Sequence, residues 1–184
     1  MIEVEELRLL LDGMMVPGGD QGPELLKAGH AMQAMILLAI NCGFGQTEGA
    51  TLKLKSLDLA GGWVEHPRPK TANMRRCPLW PETIEAIRKR PRLRSEEDAA
   101  LVLIRKYGHR WVRTRDQGEG KPEVAIDSVR LEFEKLLVGS KMKRCGLGFY
   151  AIRHAFRTAA DSAKDQPAID HIMGHLPDDM AGLY

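Results

Sequence analysis

The sequence predicts an α+β fold that is mainly α-helical and carries a small antiparallel β-sheet. Apolar residues recur with helical spacing in several segments, of which 28–41 is the most apolar. Short apolar runs separated by turn residues, between Leu52 and Leu79, are typical of β-strands. The chain has 184 residues, 43% of them hydrophobic and 28% charged, a mixture that suits one soluble globular domain spanning 1–184.

Two helices are predicted at the N-terminal end. The first has four apolar residues on one face: Leu7, Leu10, Leu11 and Met14. The run Val16-Pro17-Gly18-Gly19 ends this helix. Helix 28–41 is apolar around nearly its whole circumference, as expected for a helix through the core, and Gly43 and Gly45 end it.

The small sheet follows. Its strands are expected in Leu52–Leu59, Trp63–His66 and Arg75–Leu79, joined by turns at Gly61-Gly62 and at 67–74. The second connection forms a hairpin with Lys70 near its tip.

The middle of the chain predicts a further helix, some irregular structure and another helix. Proline and an acid begin a helix that runs from Pro81 to about Arg90. Segment 100–104 fits either a short strand or a helix, and 113–122 is polar enough for an exposed loop. Asp127 or Ser128 caps the helix that follows.

The last forty residues place two different stripes on one helix. The apolar stripe is Phe149, Ile152, Phe156 and Ala159. A second face has the spacing i, i+3, i+4, i+7 and carries Tyr150, Arg153, His154 and Arg157. Two short helices are expected after it, at 167–173 and from Pro177 to the end.

The charge pattern leaves two interpretations open. The net charge is +2, yet the segment from Trp63 to Arg115 holds fourteen lysines and arginines against six acids. Such a basic centre fits a surface that faces a polyanion, because cations on phosphates release counterions. An ordinary solvated face fits equally well. The longest apolar run, Met35–Ile40, is too short to cross a membrane, so we expect a cytoplasmic protein.

Disulfide and metal chemistry find no support in the sequence. Cys42, Cys77 and Cys145 are far apart and form no C-x-x-C pair, so we expect buried free thiols. His171 and His175 are four residues apart, but the glutamate of a zinc protease motif is missing between them. We therefore expect no metal.

Nucleotide and acyl-transfer motifs are also missing. The third glycine of a dinucleotide fingerprint is replaced by Glu48, and neither a Walker lysine nor a Gly-x-Ser-x-Gly elbow occurs. The remaining polar set suits phosphoryl transfer, which needs cations for the developing charge, a proton donor and a nucleophile. It comprises Lys70, Arg153, His175 and Tyr184.

The order of these residues resembles the tyrosine recombinase (phage integrase) family. Four blocks carry the resemblance: Cys42-Gly43-Phe44-Gly45-Gln46-Thr47-Glu48, Arg68-Pro69-Lys70-Thr71 with Arg76-Cys77-Pro78-Leu79, Tyr150-Ala151-Ile152-Arg153-His154, and Met173-Gly174-His175 through Tyr184. Together they cover nearly the whole chain. The resemblance implies a catalytic-domain-like fold, to which a separate N-terminal DNA-binding domain and residues after the tyrosine would normally be added; we expect both to be absent here.

The resemblance also implies a mechanism that needs no metal or other cofactor and no nucleotide. Tyr184 would attack a DNA phosphodiester to form a 3′-phosphotyrosyl link, with Arg153 as the phosphate clamp. His175 would handle protons or donate a hydrogen bond, Lys70 would protonate the leaving 5′-oxygen, and Glu48 would support the site. The implied partner is double-stranded DNA, on which a homo-oligomer can assemble. The expected DNA contacts are Arg68, Arg75, Arg76 and Arg157.

Two positions depart from the family pattern. Gly45 stands where the family has its first arginine, and Arg75, Arg76 and Lys53 are candidates to replace it. Tyr150 replaces the histidine of His-x-x-Arg and keeps only a hydrogen-bond donor. These departures leave two alternatives to strand cleavage: a DNA-binding module that has lost catalysis, and an unrelated small helical interaction protein.

Overall fold

The computed structural model describes residues 2–18, 22–89, 100–115, 118 and 124–175. The α-helices are α1 (Val4–Asp12), α2 (His30–Cys42), α3 (Gln46–Thr51), α4 (Pro81–Arg88), α5 (Ser128–Gly139), α6 (Tyr150–Asp161) and α7 (Gln166–Met173). The strands are β1 (Met14–Val16), β2 (Glu24–Leu26), β3 (Leu57–Asp58), β4 (Trp63–Glu65), β5 (Arg76–Pro78), β6 (Val112–Arg115) and β7 (Val124–Asp127). The fold is α+β and mostly helical, as predicted.

Helix α2 is the centre of the core. It contacts α3, α4, α5 and α6, and side chains on every side of it are buried. Gly43 ends it in the left-handed conformation, with φ of 62°, which favours glycine. The last turn also holds the sheet in place, because the Asn41 amide donates to the Pro78 carbonyl (3.0 Å) and accepts from the Trp80 amide (2.8 Å).

The sheet β3-β4-β5 is antiparallel, with Val64 opposite Leu57 on one side and Cys77 on the other. Residues 66–75 connect β4 to β5 as a hairpin. The Arg68 amide donates to the Asn73 carbonyl (2.9 Å), and Lys70 lies in the turn. The predicted hairpin with Lys70 near its tip is therefore confirmed.

The first helix is shorter than predicted. It ends at Asp12, because Gly13 follows with φ of 98° and breaks the helical path. Met14 then belongs to β1, which pairs with β2 through Met14 and Leu26. The helical spacing of Met14 was misleading because one left-handed glycine redirects the chain.

The middle of the chain also differs from prediction. Residues 112–115 pair with 124–127 as a β-hairpin, so the predicted loop 113–122 begins with a strand. Segment 100–104 is neither a regular strand nor a helix; Leu101 forms a single antiparallel bridge with Lys53. The short helix α3 was not predicted.

Two further expectations have definite outcomes, and a third falls on residues that the structure does not describe. Asp127 caps α5 by accepting from the Arg130 amide at 2.9 Å, as predicted. Cys42 and Cys77 are buried free thiols, but Cys145 is exposed because it lies in the turn before α6. The helix predicted from Pro177 lies outside the described residues. Among the helices that are described, none has the length and apolar character of a membrane span.

Candidate active site

Arg153 ties together the ends of two helices. Its side chain leaves α6, donates from Nη1 to the Gly43 carbonyl and donates from Nη2 to the Met173 carbonyl at 3.0 Å. These carbonyls lie at the C-terminal ends of α2 and α7, where carbonyls lack helical partners and the helix dipole is negative. A guanidinium therefore satisfies both ends, and Arg153 is only 3% exposed.

Glu48 lies beside this guanidinium in the first turn of α3. One carboxylate oxygen, Oε2, accepts the Gly45 amide and is 3.5 Å from Nη1 of Arg153. The other, Oε1, is 2.8 Å from Nη2 of Arg75. Glu48 is buried, so its charge is balanced by two guanidinium groups rather than by water.

Arg75 approaches the same carboxylate from the last position of the hairpin connection, directly before β5. Its guanidinium lies 4.3 Å from the centre of the Phe44 ring, and Nε donates to the His66 carbonyl at 3.1 Å. Despite the 2.8 Å distance to Glu48, neither Nη atom has hydrogen-bond geometry to a partner. Burial lowers the pKa of Arg75, and Glu48 acts in the opposite direction. Of the three candidates to replace the arginine at position 45, Arg75 is the one paired with Glu48.

His66 is a buried neighbour of this cluster. Burial, together with the charge of Arg75, lowers the pKa of His66 to about 4, so the imidazole is neutral at pH 7. Its Nε2 atom has no hydrogen-bond partner in the described structure. At pH 7, His66 therefore adds no positive charge to the cluster formed by Arg75, Glu48 and Arg153.

Position 45 holds no side chain, and its surroundings are crowded. A Cβ atom on Gly45 would lie 2.9 Å from Oε2 of Glu48 and 3.8 Å from the Tyr150 ring. Tyr150 is 47% exposed and packs edge-to-face on His154, with ring centres 5.0 Å apart. The phenol therefore lies at the protein surface beside the buried cluster.

The β4–β5 hairpin docks on the turn that follows α7. Three side chains of the hairpin donate to the Gly174 carbonyl: Thr71 at 3.2 Å, Arg68 at 3.4 Å and Asn73 at 3.5 Å. Gly174 has φ of 66°, and a Cβ there would lie 2.9 Å from Cβ of Arg68. The hairpin that carries Lys70 is therefore fixed next to the Gly-His turn, with Lys70 itself exposed.

His175 follows in that turn and faces Asp170. The Nδ1–Oδ1 distance is 3.3 Å. Burial lowers the pKa of His175 and the charge of Arg68 adds to this, whereas Asp170 opposes it. A neutral imidazole that donates Nδ1–H to Asp170 leaves Nε2 as an acceptor, which is the arrangement of an oriented proton acceptor.

The other predicted DNA contacts have protein partners. Arg157 bonds to Asp161 (2.9 Å), Asp170 (3.2 Å) and Gln166 (2.9 Å), and so ties α6 to α7. Exposed Arg76 pairs with Glu65 at 3.2 Å.

The structure thus brings most of the predicted site residues to one region, and Tyr184 lies outside the described residues. Arg153 and Glu48 are buried, Lys70 and Tyr150 exposed. Thr71, Asn73 and Asp170 were missed by sequence reasoning, since ordinary polar residues on a hairpin and a helix give no signal of long-range contacts. In the described ranges, no three His, Cys, Asp or Glu side chains cluster in a way that could hold a metal ion.

Comparison with solved structures identifies the fold. The Tn1549 transposon integrase in complex with circular intermediate DNA aligns with 95% of this chain and 58% of its own (TM-score 0.65, 18% identity). XerH recombinase bound to palindromic difH substrate aligns with 95% and 45% (TM-score 0.62, 16% identity). XerA recombinase aligns with 79% and 49% (TM-score 0.59, 16% identity).

These alignments span about half of each solved chain. No protein-family model matches the sequence, and neither does any curated protein. The structural match contradicts the alternative in which the chain has an unrelated helical fold. The described chain has the fold of a tyrosine recombinase catalytic domain.

Proposed function

We propose that this chain binds double-stranded DNA and cuts and rejoins one strand in a recombination or integration reaction. The observation that carries the proposal is the convergence of three distant segments. The hairpin with Lys70 and the turn with His175 share the hydrogen bonds at Gly174, and Arg153 reaches the same turn through the Met173 carbonyl. A cation, an oriented imidazole and a guanidinium next to one another suit a phosphodiester.

In the proposed reaction the Tyr184 hydroxyl attacks phosphorus and the bond to the 5′-oxygen breaks. The tyrosine proton passes to His175 or water, and the 5′-oxygen takes a proton from Lys70. A free 5′-hydroxyl later attacks the 3′-phosphotyrosyl link and releases Tyr184. The exposure of Lys70, and its lack of any hydrogen bond or ion pair among the described residues, leave its ammonium available for this step.

A second candidate is a DNA-binding module without cleavage. Gly45 provides no guanidinium, and both Nη atoms of Arg153 already donate to protein carbonyls. A phosphate would have to displace those contacts or leave Arg153 in its structural role. Arg68, Arg75, Arg76 and Arg157 stay predictions as DNA contacts, as does a homo-oligomer on DNA; buried Arg75 would act through Glu48.

The test is a covalent-trapping assay with nicked duplexes whose sequence is randomised around the nick. The full chain and its Tyr184→Phe variant are incubated with the pool, and adducts are separated on a denaturing gel. We expect an adduct that depends on Tyr184. DNA binding that weakens with salt, with no adduct for either protein, would favour the non-cleaving module. No DNA binding even at low salt would contradict both.

Gly45→Arg sharpens the assay. An arginine clamp on a transferring phosphoryl group is worth about 10³-fold or more, so we expect adduct formation to rise about 10³-fold if Glu48 moves to admit the side chain. Gly45→Gln is the control of similar length without the charge. Equal rates for both variants would show that position 45 does not face the phosphate.

A further inference from the structure

His175 is joined to Asp170 by two contacts, one from the backbone and one from the side chain. The His175 amide donates to the Asp170 carbonyl at 2.8 Å, and Nδ1 of its imidazole lies 3.3 Å from Oδ1 of the same residue. Gly174 allows this arrangement, because its φ of 66° ends α7 and turns the chain back toward the helix. One residue of α7 therefore fixes both the backbone of His175 and the orientation of its ring.

The Asp170 carboxylate is itself held in place. Nη1 of Arg157, from α6, lies 3.2 Å from Oδ1. The Arg157 guanidinium is fixed in turn by Gln166 at 2.9 Å and by Asp161 at 2.9 Å. Burial raises the pKa of Asp170, but its hydrogen bonds together outweigh burial and lower the pKa below its usual value. Asp170 is therefore ionised at pH 7 and can only accept hydrogen bonds.

The other charges that act on His175 are positive. Burial lowers the pKa of His175, and Arg68 from the hairpin and Arg153 from α6 lower it further, whereas Asp170 from α7 raises it. The imidazole is therefore mainly neutral at pH 7, with one proton shared between two nitrogens. Because Asp170 only accepts, the contact at 3.3 Å favours the proton on Nδ1.

We propose that Asp170 is a positioning residue that holds His175 in its Nδ1–H tautomer and leaves the unprotonated Nε2 as the proton acceptor. The His175 side chain is 34% exposed, and Nε2 has no hydrogen-bond partner in the ranges that the structure describes. When Nε2 takes the proton of the Tyr184 hydroxyl, the imidazolium that forms contacts the Asp170 carboxylate. That carboxylate balances the new charge near two guanidinium groups.

This inference rests on the proposed function for the source of the proton, but the tautomer can be measured without DNA. Nitrogen-15 NMR of the full chain, labelled at histidine, distinguishes a protonated ring nitrogen from an unprotonated one. The His175 signals are those that disappear in His175→Gln. At pH 8 we expect His175 to be mainly the Nδ1–H tautomer.

Two substitutions separate positioning from a merely structural role. In Asp170→Asn the amide can donate to Nδ1 as well as accept from it, so we expect both tautomers, and the pKa of His175 should fall. The matched control is Asp161→Asn, which removes an exposed carboxylate 2.9 Å from the same arginine. The control should leave the tautomer and the pKa of His175 unchanged. If Asp170 served only to hold Arg157, the two variants would give the same His175 signals.

The covalent-trapping assay provides a kinetic readout. Adduct formation should slow as the pH falls through the pKa of His175, because a protonated Nε2 cannot accept the tyrosine proton. Asp170→Asn should lower the rate at pH 8 by about tenfold or more and move the decline to lower pH. Asp161→Asn should keep the rate and the pH profile of the unsubstituted chain.

A predominantly Nε2–H imidazole in the unsubstituted chain would overturn the proposal, even if Asp170→Asn does not fold. Identical His175 signals in the two variants would also overturn it. If the unsubstituted chain forms no adduct, the proposed function fails, whereas the NMR signals still decide whether Asp170 sets the tautomer.

Discussion

The two ends of helix α2 have opposite charge, and they differ in whether their backbone groups are satisfied by side chains. At the C-terminal end, the guanidinium of Arg153 meets the Gly43 carbonyl and Glu48 balances the charge, all inside the protein. At the N-terminal end, Gly29 provides no side-chain cap, and the amides of His30, Ala31 and Met32 have no acceptor among the described residues. The comparison teaches that the end of α2 that carries the family pattern is satisfied inside the protein, whereas the other end leaves its amides unpaired within the described structure.

The largest expected effect comes from removing the contacts of Arg153 at the C-terminal end of α2. Arg153→Met leaves Glu48 short of a partner and two helix-end carbonyls unsatisfied, so we expect a loss of about 3–5 kcal/mol in the free energy of unfolding. Urea unfolding measures it. The control is Arg130→Met, an exposed arginine 3.8 Å from Glu134, which should cost less than about 1 kcal/mol.

If Arg153→Met does not fold, Arg153→Lys gives the same information, because one ammonium cannot reach both carbonyls in the geometry of the guanidinium. If both substitutions lowered the free energy of unfolding by less than about 1 kcal/mol, Arg153 would not hold the C-terminal end of α2 as described.

The next largest effect is a pH dependence of the free energy of unfolding, caused by His66 near the same end of α2. The pKa of folded His66 is about 4, below the usual 6.5, so the unfolded chain binds the proton first. The stability that this contributes is present above pH 6.5 and is lost as the pH falls to 4; it amounts to about 3 kcal/mol at most. Urea unfolding at pH 7, 5 and 4 measures the loss.

His66→Gln should flatten this pH dependence, whereas exposed His154→Gln should keep it. The slope is compared rather than the stability at one pH, since His66→Gln changes packing as well. An unchanged slope in His66→Gln would assign the acid sensitivity to other groups.

The smallest effect is expected at the N-terminal end. Gly29 has an open position for a side chain and φ of −64°. Gly29→Asp supplies the missing cap and should stabilise the fold by only a few tenths of a kcal/mol. Urea unfolding measures the gain. Gly29→Ser, which caps without charge, should stabilise the fold by a similar or smaller amount; a loss of stability in both variants would contradict the assignment of an uncapped helix end.

Local sequence patterns predicted the elements that are determined by residues close together in the chain. The apolar surface of α2, the Asp127 cap and the Lys70 hairpin all depend on residues within a few positions of one another. The contact of Arg153 with Gly43 spans 110 positions, and that of Arg68 with Gly174 spans 106. No periodicity encodes such contacts, so the family resemblance implied a phosphate-clamp role for Arg153 without showing that its guanidinium already holds two helix ends.

The role of Arg153 has an evolutionary consequence. A relative with this fold but without strand cleavage would still need Arg153 to join α2 to α7, so selection for stability alone would preserve it together with Glu48. Lys70 is different, because nothing in the described part of the chain depends on its ammonium. In such a relative, drift could replace Lys70. In a set of related sequences, retention of Lys70 would therefore indicate selection for chemistry, whereas retention of Arg153 would not distinguish chemistry from stability.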